Sequence, residues 1–415
     1  MMDFCSIDVK PMLTIDEALE RIRSAVMPVD ETEIINLKQA LDRVSALPLY
    51  SPINLPSDRN AAMDGYAFCS RDIVDALPFT LRMVGTSWAG RPFNGILTPG
   101  SCIRIFTGAV VPEKFDSVIM QEQIIVNGNI IHFPAQTPIQ QNIREAGEDI
   151  SKGGLLCTAP KKLTARDMGL LAAAGISKIT VKRCLKIVFF STGDELTPLN
   201  SLLQPGKIYD SNRYLLSGLL TDACYSVVDG GVIPDDKKRL EDALSQAAKD
   251  YDVIITTGGA SVGDADYIKE ILQQCGQIDF WKIAIKPGKP LAFGKIGACH
   301  FFGLPGNPVA VLVTFQQLVA PALKRLSGAS ATKPLQLMAT STSTLRKALG
   351  RQEFQSGILT QDESGTLFVA SSGQQGSHRL GTVHKANCYI LLPIDSQGVQ
   401  AGEHVIVEPF TNYLE

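Results

Sequence analysis

Near the start of the chain, apolar residues recur at helical spacing. Thr14-Ile-Asp-Glu17 reads as a capping box, and Ala18, Leu19, Ile22 and Val26 share one face of the following helix until Pro28 stops it. A second helical stretch is expected near 37–44. From 52 to 143 the pattern changes to short β-branched runs broken by Gly and Pro, with Asn127-Gly128 signalling a two-residue hairpin. Helical signals resume at Thr164, an N-cap, and end at Gly175. The β-rich stretch therefore reads as an insertion into a helical unit.

Between 185 and 328 strands and helices alternate: strands over 186–190, 225–233 and 253–257, helices from 212, 236 and 264, then strands over 280–285 and 299–304 and a long helix over 307–326. Such alternation predicts a parallel sheet with helices on both faces. After Gly328 the runs are short and all β, which suits a small barrel. The expected fold class is multidomain α/β, with a mostly parallel central sheet, a helical domain carrying an inserted β-rich domain, and a C-terminal β barrel. The expected boundaries are 1–52 with 144–184 for the helical or linker domain, 53–143 for the insertion, 185–328 for the α/β domain and 329–415 for the barrel.

Composition narrows the function classes. The 415 residues are 45% apolar and 20% charged, values of a soluble globular protein. Thirty-nine basic residues against 42 acidic ones leave a formal charge of -3, so no electrostatic footprint for nucleic acid or an anionic membrane is expected. Any bound anion must then be held by local geometry. Nine scattered cysteines without a CxxC pair suit reduced thiols, and five histidines without HxH or HxxxH spacing give little support to a zinc site. No signal-peptide pattern opens the chain. The longest apolar run, 309–323, is interrupted by Gln316 and Gln317 and is too short to cross a bilayer. A cytoplasmic location is the expectation.

In open α/β sheets ligands bind beyond the carboxyl ends of the strands. The residues there are Ser191-Thr-Gly-Asp-Glu195, the loop 231–236 with Asp235, the loop 257–267, and Gly303-Leu-Pro-Gly-Asn-Pro308. The Thr257 to Gly263 stretch can present backbone N–H groups to a phosphate or similar oxyanion; a tight loop with no ligand would look the same. Asp264 and Asp266 suit helix caps or hard oxygen ligands for magnesium. Lys282 and Lys286 stand four apart, so on one strand both side chains leave the same face. With Lys289 they form either a solvated edge or a cationic wall. The apolar neighbours Trp281, Ile283 and Ile285 favour the wall.

Nine segments in order resemble the molybdopterin molybdenumtransferase family, which is related to the C-terminal region of gephyrin. They are Ala62-Met-Asp-Gly-Tyr-Ala67, Arg104-Ile-Phe-Thr-Gly108, Gly147-Glu-Asp149, Ser191-Thr-Gly-Asp-Glu195, Ile208-Tyr-Asp-Ser-Asn212, the stretch from Gly258 to Tyr267, Lys286-Pro-Gly-Lys-Pro290, Gly303-Leu-Pro-Gly-Asn-Pro308 and Gln375-Gly-Ser-His378. The resemblance implies four domains in an elongated homodimer. It also implies a reaction: adenylylated molybdopterin and molybdate give molybdenum cofactor and AMP in the presence of Mg2+. By resemblance, Glu195, Asp235 and Asp266 hold the metal or orient the attacking oxygen, and Lys282 and Lys286 stabilise charge on phosphates or molybdate. Asp64, Thr107, Arg144 and Asp149 match the other side of the family's cleft. Gly258, Gly259, Ser261, Pro305 and Gly306 match substrate-binding loops, and Arg351 and Ser377 match positions in the barrel. Two departures stand out: Ala61 where the family often has Ser, and Arg144-Glu-Ala146 where its loop is often more basic. The implied partners are a second copy of the chain, a molybdopterin adenylyltransferase as substrate donor, and molybdoenzyme maturation factors. Two other readings compete. Nicotinamide-nucleotide and ADP-ribose processing enzymes, pyrophosphatase-like, share the α/β segment but lack the insertion with Met63-Asp-Gly65, and a gephyrin-like scaffold would lack catalysis.

Overall fold

A computed structural model describes residues 12–73, 77–258, 276–330 and 333–410. Helix Ile15–Ala25 opens with the expected capping box: Thr14 Oγ1 accepts from the Glu17 N–H at 3.2 Å, and the Glu17 carboxylate accepts from the Thr14 N–H at 2.8 Å. Its buried face of Ile15, Ala18 and Ile22, continued by Val26, packs with Leu185, Ile187, Phe315 and Leu323. This helix is thus part of the α/β core, although it precedes that core by well over a hundred residues.

The stretch expected to be helical near 37–44 is not. It holds a single 3-10 turn, Leu37–Gln39, and then strand Val44–Ser45. The reason is a partner far away in sequence: Lys178–Lys182 pairs with both Thr32–Asn36 and Val44–Ser45, and Lys161–Lys162 completes a four-stranded antiparallel sheet. One helix, Ala165–Ala173, covers it, capped by Thr164 and Asp167. The unit read as helical is therefore a small sheet with one helix.

Between its two halves lies a six-stranded sheet in the order Ser117–Met120, Gly65–Phe68, Ser101–Ile105, Phe79–Ser87, Ile130–Phe133, Ile125–Asn127. The Asn127-Gly128 hairpin forms, with Gly128 at φ 59°. Gly65 has no room for a side chain, since a Cβ there would lie 1.8 Å from the Ile119 carbonyl oxygen.

The central sheet runs Tyr225–Ile233, Leu185–Thr192, Val253–Thr257, Cys299–Leu304, Pro290–Ile296, Gly276–Lys282, and its first four strands are parallel. Ile187 and Phe189 face one apolar cluster with Leu216 and Val311, while Val188 and Phe190 face another with Leu240 and Leu244. Strands buried on both faces need helices on both sides, and the alternating pattern supplies them. Helix Pro308–Leu326 is long and apolar enough by length to span a bilayer, but 72% of it is buried inside the molecule. It is a core helix. A π-helical segment, Phe315–Val319, places Gln316 and Gln317 against the C-terminal unit. There Gln316 accepts from the Tyr389 hydroxyl at 2.5 Å and Gln317 donates to Glu408 at 2.7 Å.

That unit is a closed five-stranded barrel, Gln352–Gln361, Leu367–Ser371, Leu337–Ser341, His404–Pro409, Cys388–Leu392 and back to Gln352–Gln361. Closure removes the free edges an open sheet of this size would carry.

The small sheet is tied to the central one by Arg183. Its guanidinium donates to Asp252 at 2.6 and 2.9 Å, and the Lys186 N–H donates to the same carboxylate at 2.8 Å. Burial alone would raise the Asp252 carboxyl, but Arg183 and the Lys186 N–H outweigh it and hold it below the usual carboxylate range. A carboxyl lowered on folding contributes stability above its unfolded pKa, and that contribution fades as pH falls through the folded value. Asp252→Asn should therefore cost about 2 kcal/mol at pH 7, the range for hydrogen bonds to charged groups. In urea titrations the gap between variant and wild type should shrink below about pH 4; a gap constant down to pH 2 would contradict this.

Candidate active site

The carboxyl ends of the parallel strands meet in a tight knot. Thr192 Oγ1 donates to the Thr257 carbonyl at 3.2 Å. Gly258 follows at φ 86°, and a Cβ there would come within 2.6 Å of the Thr192 carbonyl oxygen, so only glycine fits. Gly306 abuts Gly258, and Asn212 donates from Nδ2 to the Gly306 carbonyl at 2.7 Å. Three strand-end loops are thereby fixed to one another. The Asn212 Oδ1, Asp210 Oδ2 and Thr256 Oγ1 atoms are buried here without a hydrogen-bond partner among the described residues.

Beside this knot stand two candidate carboxylates. The Glu195 side chain folds over Gly193, where a Cβ would meet its carboxylate oxygen at 2.3 Å. Its neighbour Asp194 exchanges bonds with Asp235: the Asp235 N–H donates to Asp194 at 3.2 Å and the Asp194 N–H to Asp235 at 3.4 Å. Glu195 and Asp235 thus sit on cross-linked loops. Gly259, Ser261 and Asp266 lie outside the described residues.

Next to the knot, the α/β unit and the barrel enclose a cleft of about 420 Å³. It gathers five predicted residues, Lys286, Pro305, Gly306, Arg351 and Ser377, from segments as far apart in sequence as Lys286 and Ser377. The Ser377 carbonyl accepts from the Val309 N–H at 3.0 Å and so anchors its loop to the start of the core helix. Lys289 and Arg379 add two more cations to the wall.

The expected common strand face for Lys282 and Lys286 is not found. Lys282 ends strand Gly276–Lys282 opposite Pro290, whereas Ile285–Lys286 is a separate short strand paired in parallel with the barrel at Gln352 and Glu353. A period-2 argument holds only along an unbroken strand, and this one changes sheets between the two lysines. Lys286 lines the cleft; Lys282 is exposed and is not among its lining residues.

Asp64 and Thr107 are brought together in the inserted sheet. The Asp64 carboxylate accepts from the Thr107 N–H at 2.8 Å and hydroxyl at 2.7 Å, and these bonds, the backbone one foremost, lower its pKa. Close by, the Arg104 guanidinium lies 5.0 Å from the Tyr66 and Phe106 ring centroids, and Phe106 stacks on Trp88 at 4.0 Å. Arg144 pairs with Asn60, and Asp149 follows Gly147-Glu148 in a turn whose N–H groups reach Pro56 and Leu55. Glu145, the unexpected acid of this loop, is paired with Arg59 at 3.1 Å. The described contacts of Asp64, Thr107 and Arg104 stay inside this unit, so the chain brings together two groups of candidates rather than one.

Two charged residues of the cleft escaped the sequence reading, Arg379 and Glu353. Glu353 is 3% exposed. An acid directly beside Phe354 in the stretch expected to form the barrel was the available signal.

Comparison with known proteins gives these motifs a family. Three family models match in order: the MoeA N-terminal region (domain I and II) over 13–175, a probable molybdopterin binding domain over 188–325, and the MoeA C-terminal region (domain IV) over 338–410. The molybdopterin molybdenumtransferase of Haemophilus influenzae is 44% identical over 97% of this chain and 100% of its own length. The chain belongs to the molybdopterin molybdenumtransferase family. These are transferases of molybdenum cofactor biosynthesis. The Nostoc sp. family member is 33% identical over 96% of the chain and 94% of its own length, and a gephyrin of Dictyostelium discoideum is 30% identical over 97% of the chain and 63% of its own length. In structure the chain is similar to a molybdopterin biosynthesis moeA protein from Pyrococcus horikoshii OT3, with a TM-score of 0.82 at 28% identity, covering 96% of this chain and 100% of that one. The match spans all units, so the nucleotide-processing alternative, which shares only the α/β segment, falls away.

For a family member built this way, Gly258→Ala should strain the knot twice, through φ and through the Thr192 contact. A loss of about 1–3 kcal/mol is expected, read as a lower denaturant midpoint with an unchanged slope. A variant as stable as wild type would show that the three loops are not held together as described.

Proposed function

We propose that the protein inserts molybdenum into adenylylated molybdopterin, using molybdate and releasing AMP. The observation that carries this reading is the cleft itself: Lys286, Arg351 and Ser377 line it together with Gly306, a member of the strand-end knot, and Glu195 and Asp235 stand on cross-linked loops beside that knot. A tetrahedral dianion needs cations and short-range donors in one place; a phosphoanhydride needs a neighbouring site for its own charge.

In this reading Lys286, Lys289 and Arg351 hold the oxyanion and Ser377 donates to it. Glycine-rich ends at Gly258 and Gly306 let the substrate's phosphates approach the backbone closely. Glu195 and Asp235 supply hard carboxylate oxygens from two cross-linked loops. Among the described residues no three-ligand cluster of His, Cys, Asp or Glu forms, but Mg2+ is commonly held by one or two carboxylates together with substrate phosphates. That donor set fits. Mg2+, when bound there, neutralises charge on the phosphoanhydride. Glu195 and Asp235 then orient the substrate, and the lysines offset negative charge as AMP departs.

The second candidate group, Asp64, Thr107, Arg144 and Asp149, enters the same cleft when a second copy of the chain places its inserted sheet opposite this α/β unit. A homodimer with two such clefts is therefore part of the proposal, as are a cytoplasmic location, a molybdopterin adenylyltransferase as donor, and maturation factors as recipients.

Incubation with adenylylated molybdopterin should release AMP only when molybdate and Mg2+ are both present, followed by chromatography. Lys286→Ala should raise the molybdate KM by about tenfold or more, the loss of a charge-assisted bond. Lys286→Arg should recover part of it, because a planar fork replaces a compact ammonium. AMP release independent of molybdate would defeat the reading.

Shared clefts make a separate prediction. Asp64→Ala and Asp235→Ala, each inactive alone, should regain activity after reversible dissociation and mixing, since a mixed dimer holds one cleft with both carboxylates. Subunit exchange shown by tagged co-purification, with no activity regained, would leave the chemistry standing and remove the dimer model.

A further inference from the structure

Lys286 is not free to point where a ligand would pull it. Its Nζ donates to Glu353 Oε1 at 2.9 Å, although half of the lysine side chain is open to solvent and the glutamate is buried. The other oxygen, Glu353 Oε2, accepts from Gln355 Nε2 at 3.0 Å, and the same amide donates to the Arg346 carbonyl at 2.9 Å. Gln355 is 6% exposed. Lys286 and Glu353 are direct partners in the parallel pairing of Ile285–Lys286 with the barrel strand, so the backbone sets the reach of both side chains. On the far side of the loop, Gly288 at φ 103° packs so close to the core helix that a Cβ would lie 2.6 Å from Thr314 Oγ1.

A buried carboxylate in the wall of an anion pocket is an odd component on charge alone. It opposes the bound oxyanion and weakens its affinity. Evolution of a simple binding pocket would favour a neutral residue. What the carboxylate offers instead is position. A lysine has a long flexible stem, and leaving it unrestrained means ordering it each time the reaction proceeds. With one N–H committed to Glu353, the ammonium keeps two donors in a fixed place before substrate arrives, which is how preorganised charge assists a reaction.

We infer that Glu353 is a positioning residue that acts through Lys286, exchanging some oxyanion affinity for a fixed ammonium during turnover. Gln355 and the Arg346 carbonyl hold Glu353 in turn. The inference rests on the reading of the cleft as the oxyanion pocket.

The test compares Glu353→Gln, Glu353→Asp, Lys286→Met and the double variant Glu353→Gln/Lys286→Met with the wild type. Tungstate binding is measured by calorimetry and AMP release by steady-state kinetics. Glu353→Gln should bind tungstate as tightly as wild type or tighter, while kcat falls about tenfold, the worth of one charge-assisted hydrogen bond. Glu353→Asp should recover part of kcat, and adding Glu353→Gln to Lys286→Met should change kcat no further. A second arm needs no turnover. Trace acetylation with mass spectrometry should show Lys286 reacting several-fold faster in Glu353→Gln than in wild type, with exposed Lys238 as internal reference. Joint loss of tungstate binding and kcat with a lowered melting temperature would make Glu353 merely structural and overturn the inference. So would tighter tungstate binding with unchanged kcat, or an unchanged acetylation rate. If wild type itself releases no AMP, the proposed reaction fails, and the acetylation arm still decides whether Glu353 holds Lys286.

Discussion

Residues 283–289 have to serve two sheets at once. Lys282 and Pro290 are partners at the edge of the central sheet, and Ile283 N–H closes on the Lys289 carbonyl at 2.8 Å, so the chain leaves and re-enters that sheet at almost the same point. In between, Ile285 and Lys286 are captured by the barrel strand, and the Gln352 N–H adds a bond to the Ala284 carbonyl at 2.8 Å. Such a loop has little freedom left. It fixes the barrel against the α/β unit, and the cleft is the space that this capture encloses. The positions of Arg351 and Ser377 follow, because they stand on the barrel side of the same junction. Moving the junction by one residue would flip Lys286 from the cleft to the opposite face of its strand.

The local signals in the sequence were legible for this reason: they are satisfied by residues close in the chain. The Thr14 and Thr164 capping boxes and the Asn127-Gly128 hairpin need only their own neighbours, and the central strands are legible from their own β-branched runs although their partners lie far away in the chain. What went unread depends on distant partners. Residues 37–44 look helical until Lys178–Lys182 arrives to pair with the strands that flank them, Thr32–Asn36 and Val44–Ser45. Lys282 and Lys286 look like one strand face until Glu353, 67 residues away, claims the second lysine. The N-terminal helix declares its apolar stripe but not the sheet on which that stripe will lie. For the site, the strand-end loops were visible because their glycines and acids are consecutive. The barrel's contribution was visible only through resemblance, since Arg351 and Ser377 carry no pattern of their own.

The nearly neutral chain also explains the style of the site. With a formal charge of -3 there is no broad positive field to draw an anion in. Selectivity has to come from a few fixed groups at short range, and Lys286, Lys289, Arg351 and Arg379 around one buried acid are such a set. Asp64 in the inserted sheet is built on the same principle with the sign reversed: a carboxylate kept charged by two Thr107 bonds rather than by a salt bridge.

Gln316 and Gln317 show how the same economy governs docking of the barrel. Two amides in the middle of a core helix would be costly if unpaired. Each finds a barrel partner, Tyr389 and Glu408, so these two amides are paired only when the barrel is in place. The two ends of the α/β unit then respond to pH in opposite senses. Burial raises the Glu408 carboxyl, the Gln317 bond notwithstanding, so its contribution to stability is present at low pH and is lost as pH rises through its folded value. At the Arg183 junction the lowered Asp252 carboxyl does the reverse. Acid therefore weakens the Arg183 junction of the small sheet, while it favours the Gln317–Glu408 contact between the core helix and the barrel.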